Sequence, residues 1–86
     1  MKVSQTLLKE KELPYGTLYL VKIETRKFLG LKKEVIYRVI LAEPSEGLAV
    51  LKWNFPSQEF AKEFFDFIKD DTFDKSTITM IAKILQ

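Results

Sequence analysis

The chain has 86 residues, 47% of them hydrophobic, 13% aromatic and 30% charged, with a net charge of +2. This length makes a single domain, residues 1–86, and the hydrophobic content at so low a net charge argues against disorder. With no cysteine and no histidine, the composition rules out a disulfide scaffold, a thiolate metal site and a cysteine nucleophile, and it removes the commonest general base.

The first segment, residues 3–8, is read as an edge strand in preference to a short helix over residues 4–13. Pro14, Tyr15 and Gly16 then form a break with turn chemistry. Residues 15–25, YGTLYLVKIET, follow as a strand with Leu18 and Leu20 on one face and Tyr19, Val21 and Ile23 on the other. A loop over residues 26–33, RKFLGLKK, joins this strand to the next as a hairpin, with Gly30 able to take the positive φ the loop needs. Residues 35–41, VIYRVIL, are rich in β-branched side chains and form the partner strand. Ile36 and Ile40 lie on its face opposite Val35, Tyr37, Val39 and Leu41.

A turn at residues 44–47, PSEG, leads to another strand. There Ala49, Leu51, Trp53 and Phe55 alternate with Leu48, Val50, Lys52 and Asn54, and the first set is expected to touch a helix. That helix begins at Ser57, whose hydroxyl can accept from first-turn amides, with Glu59 favourably placed near the positive end of the dipole. Phe60, Ala61, Phe64, Phe65, Phe67 and Ile68 fall on one face of it, the pattern of a helix lying on a sheet. It is expected to run over residues 57–70 and to end at Asp70, Asp71 and Thr72. The last segment, near residues 76–85, alternates Ile78, Met80, Ala82 and Ile84 with Thr77, Thr79, Ile81 and Lys83. Its β-branched start favours a strand, although Ile78, Ile81, Ile84 and Leu85 also suit one helix face.

These elements predict an α+β fold: a small antiparallel sheet of about four to five strands in meander order, with one amphipathic helix packed on one face. The two central strands are apolar on both sides, and one helix covers only one of them. The other face requires a terminal segment, a barrel-like curl or a partner subunit, so a homodimer is a physical expectation.

For chemistry, the three glycines are too far apart for a phosphate-binding loop. Asp66, Asp70, Asp71 and Asp74 could offer oxygen ligands to Mg²⁺ or Ca²⁺, but lack the EF-hand spacing and read as a solvated helix end. No metal, cofactor or catalytic residue is assigned, and the chain is read as a non-enzyme. The hairpin is the stronger candidate. Arg26, Lys27, Lys32 and Lys33 flank Phe28, Leu29 and Leu31, and Lys22 and Arg38 could extend the patch. Cations neutralise phosphates while a ring stacks on a base, so Arg26, Lys27, Phe28, Lys32, Lys33 and Arg38 form a possible nucleic-acid or partner surface. Alternatively, Phe28 and Leu31 fold back on the core and the lysines only block edge pairing.

Charge is uneven. Residues 1–41 hold nine Lys/Arg against four Asp/Glu, and residues 42–86 hold five against eight, an asymmetry that bears on association and not on fold. The lack of cysteine favours a cytoplasmic setting, and neither a signal-peptide-like segment nor an apolar run of membrane-spanning length stands out. A single asparagine, Asn54, beside abundant lysine and glutamate resembles the composition of thermophile proteins. No family is identified. The strand–turn–helix with Ser57, Glu59 and Phe60 resembles, as fold analogy alone, whirly- and coactivator-type single-stranded-DNA-binding folds and pleckstrin-homology-like domains. The expected function is that of a protein-interaction module, self-associating, with nucleic-acid binding as the alternative.

Overall fold

The computed structural model describes residues 2–27, 29 and 31–86. Four antiparallel strands, β1 (Lys2–Leu13), β2 (Gly16–Lys27), β3 (Lys32–Ala42) and β4 (Ala49–Phe55), lie side by side in chain order. Two helices follow, α1 (Gln58–Phe67) and α2 (Lys75–Leu85). This is the expected α+β meander with one added helix.

Two of the hairpins have a local cause. Pro14 and Tyr15 form a two-residue turn that pairs Leu13 with Gly16. Tyr15 is buried, and its hydroxyl donates to the Lys69 carbonyl beyond α1, which ties the turn to the helix layer. Between β3 and β4 the buried Glu43 organises the loop. Its carboxylate accepts from the Ser45 amide at 2.9 Å, the Ser45 hydroxyl at 2.7 Å and the Glu46 amide at 2.5 Å. Those bonds, the Ser45 hydroxyl foremost, hold its pKa at about 2.

Ser57 caps α1 as the sequence predicts, accepting from the Phe60 amide. The helix stops at Phe67, short of the expected Asp70, and Ile68 turns to extended backbone as its C-cap. No basic residue lies in the last turn of α1. Lys11 of β1 supplies that charge from across the sheet: its Nζ donates to the Phe65 carbonyl at 2.7 Å and sits 4.7 Å from the Phe65 ring centre. Burial lowers the Lys11 pKa.

The C-terminal segment is a helix, which corrects the strand expected there. Asp74 stands at its N-cap and Lys83 in its last turn. Ile78 and Ala82 are buried and Ile81 is half-buried, the spacing of one helix face. Local β propensity at Thr77, Ile78 and Thr79 loses to tertiary packing, because this helix covers the β4 end of the core.

Both helices lie on one side of the sheet, α1 across β2, β3 and β4 and α2 on β4. Leu18, Leu20, Val39 and Leu41 meet Ala61, Phe65, Ile68, Ile78 and Ala82 in the core. Trp53 packs on Phe64 (centroids 4.8 Å apart) and stacks on Phe73, which meets Tyr15 edge-on. Two irregularities set which residues face the helices. The shift between Leu7 and Lys9 brings Leu8, Lys9 and Lys11 to the helix side, while Leu7 stays on the other. A second shift, between Leu41 and Ala42, puts Val50 in the core, although strict alternation assigns it to the opposite face.

Candidate functional site

Neither helix touches the opposite side of the sheet. Strand register arranges that open face in rows. One row runs Glu10, Tyr19, Ile40, Lys52; the next Leu7, Val21, Arg38, Asn54; the next Gln5, Ile23, Ile36; the next Val3, Thr25, Glu34; and the last Lys27, Lys32. Its centre is therefore apolar around Arg38. Val21 and Ile23 are shielded by their neighbours within the sheet, but they are not part of the core between sheet and helices. Val3 and Leu7 at the β1 edge are 52% and 53% exposed.

The molecule measures 45 × 28 × 15 Å with a radius of gyration of 14.4 Å, against about 12 Å for a compact chain of this length. The strands thus run past the helices as an arm. On the helix side the arm carries Ser4, Thr6, Lys22, Glu24, Arg26 and Lys33 with Val35 and Tyr37; on the open side it carries Val3, Leu7, Val21, Ile23 and Ile36 with Gln5, Thr25, Glu34 and Arg38 among them.

The predicted basic cluster is divided by the strand pleat. Arg26 and Lys33 lie on the helix side, and both pair with Glu24, at 3.3 and 2.9 Å. The Lys33 hydrogen bond is the main reason the Glu24 pKa is lowered. Lys27 and Lys32 lie on the open side near Glu34, at 3.7 and 3.9 Å. Arg38 stands apart, six residues from Lys32 along β3 or about 20 Å, and its Nε donates to Asn54 Oδ1 at 2.6 Å. Phe28 and Gly30 fall outside the described residues. Leu31 is 89% exposed and does not fold back on the core, and Leu29 has a positive φ of 58°.

The acidic run is also dispersed. With α1 ending at Phe67, Asp66 and Asp70 share no helix face. Asp66 pairs with Lys9 at 3.3 Å, and Asp74 accepts from the Ser76 hydroxyl at the start of α2, which lowers its pKa. Among the described residues no group of three or more potential metal ligands forms. A depression of about 670 Å³ lies along α2, lined by one flank of that helix, including Thr79 and Met80, and open to solvent. Phe60 and Phe67, expected in the core, are 64% and 69% exposed, because Ala61, Phe65 and Ile68 are the residues that face the sheet. Among the described residues no helix is long and apolar enough to cross a membrane.

Comparison with known proteins finds no matching family, no matching curated protein and no matching solved structure.

Proposed function

We propose that the protein is a non-catalytic interaction module that docks through its open sheet face and associates with itself. The observation that carries this reading is the group Val21, Ile23, Ile36 and Ile40 around Arg38 on that face, with neither helix over it. An apolar face of this extent marks an interaction surface in a soluble domain. At strand spacing and rise, the face projects to roughly 600 Å², close to the ~800 Å² per partner of a standard interface. The paired cations of the hairpin favour this reading over nucleic-acid binding by Arg26, Lys27, Lys32, Lys33 and Arg38. Four of the five stand beside Glu24 or Glu34, which weakens a phosphate-binding field.

Sedimentation analysis tests the proposal. The protein is expected to be a dimer at about 100 µM, above the micromolar Kd expected for an interface of this size without large aromatic anchors. Ile40→Lys, on the open face, is expected to give a monomer with unchanged circular dichroism. A wild-type chain that stays monomeric at that concentration refutes self-association.

A further inference from the structure

The open face is self-complementary in charge as well as apolar. At its β1 edge stand Glu10 and Glu12 and at its β4 edge stands Lys52, while Arg38, Glu34, Lys27 and Lys32 lie on the strands between. Glu10 and Lys52 end the same row, with Tyr19 and Ile40 between them. Both are exposed, and neither has an ion-pair partner among the described residues. Their placement gives them no evident role within the monomer.

Resting on the docking reading above, we infer that the partner is a second copy related by a twofold axis that runs parallel to the strands, between β2 and β3. This axis lays β1 over β4 and β2 over β3, and it keeps every row in register. Glu10 then meets Lys52 of the second copy, and the pair occurs twice. Tyr19 meets Ile40, and Ile23 meets Ile36. Val21 meets the methylene stem of Arg38, whose guanidinium is drawn toward the β4 edge by Asn54.

The competing arrangement has its axis across the strands. It stacks each strand on its own copy, and an axis through the Leu7–Val21–Arg38–Asn54 row sets Arg38 against Arg38. Like charges directly opposed at an interface are unfavourable. Both arrangements satisfy aligned sheet packing. The axis along the strands also brings Lys27 over Lys32, each of them beside Glu34; an axis across the strands through the Gln5–Ile23–Ile36 row sets Arg38 on Glu34 but leaves Lys52 without a carboxylate, so the two Glu10–Lys52 pairs are what favours the first. A symmetric pair of this kind is the commonest closed assembly for one chain.

Charge exchange tests the axis. Glu10→Lys alone and Lys52→Glu alone each create two repulsive contacts and are expected to weaken the dimer about tenfold at low salt. The double variant restores both contacts in reversed sense and is expected to return within about threefold of wild type. Mixing the two single variants should give the mixed dimer in preference to either parent, since each of its contacts is again attractive. Thermal unfolding of each variant monitors folding.

If the double variant is as weak as the singles, or the singles dimerise like wild type, the axis is overturned. Ile40→Lys separates this from the docking reading. If it dissociates the dimer while charge exchange has no effect, the face is correct and the axis is wrong. If none of the variants alters the dimer, the copies meet elsewhere, such as along the β1 edge, and both readings fall.

Discussion

Replacing Gly16 with alanine should cost far more than its place at a strand end implies. Gly16 has φ 155° and lies against the β3 backbone; a Cβ there would sit 2.3 Å from the Ala42 carbonyl oxygen, where real Cβ contacts essentially never fall below 3.0 Å. The opposing atom is backbone in a paired strand, so relief must come from spreading β2 and β3 where Thr17 pairs with Ala42. A side chain at this φ costs about 1–3 kcal/mol, and the overlap adds about 1–3 kcal/mol. We therefore expect a loss of about 3 kcal/mol or more. At about 2.1 cal/mol/K per residue the unfolding entropy is about 0.18 kcal/mol/K, so Tm should fall by about 15 °C.

Gly47→Ala is the control. Gly47 has φ 70° with nothing near its missing Cβ, so the expected cost is about 1 kcal/mol. Both variants are measured by thermal and urea unfolding at one protein concentration, because association shifts Tm. If Gly16→Ala loses no more stability than Gly47→Ala, the close approach to Ala42 is not a constraint and the reasoning fails.

Two further outcomes follow from the packing. Lys11→Met keeps the stem but loses the bond to the Phe65 carbonyl, so urea unfolding should show a loss of about 1–2 kcal/mol; Lys9→Met, which removes an exposed ion pair with Asp66, should cost no more than about 0.5 kcal/mol. Equal losses would exclude Lys11 as the group completing the end of α1. Glu43, at about 2 against an ordinary 4.5, contributes stability that is fully present above pH 4.5 and is lost as pH falls through 2. Urea midpoints between pH 6 and pH 2 should fall less steeply for Glu43→Gln than for wild type, and parallel curves would count against it.

Much of the architecture is local in origin. Period-two patterns at Tyr19–Val21–Ile23 and Ile36–Ile40, the Pro14–Tyr15 turn and the Ser57 cap each depend on neighbours in the chain, so composition and spacing were enough to find β2, β3, β4 and the start of α1. The same alternation exposed the problem of a sheet apolar on both faces. It also pointed to the basic hairpin, but clustering in sequence does not keep charges together in space. The pleat sends Arg26 and Lys33 to one side and Lys27 and Lys32 to the other, each pair beside a glutamate.

Other features depend on contacts distant along the chain. The C-terminal segment is a helix because the sheet offers it a core to cover, which outweighs the β-branched preference of Thr77, Ile78 and Thr79. The irregularities at Leu8 and Val50 reverse the face of neighbouring residues, and strict alternation does not reveal them. Because of the first, Lys9 and Lys11 face α1 while Glu10 joins the open face. Because α2 packs on the same side as α1, that open face is left without a cover. A sheet apolar on both faces is thus written in the residue pattern, whereas the side the helices cover and the charges at the edges of the other come from long-range packing.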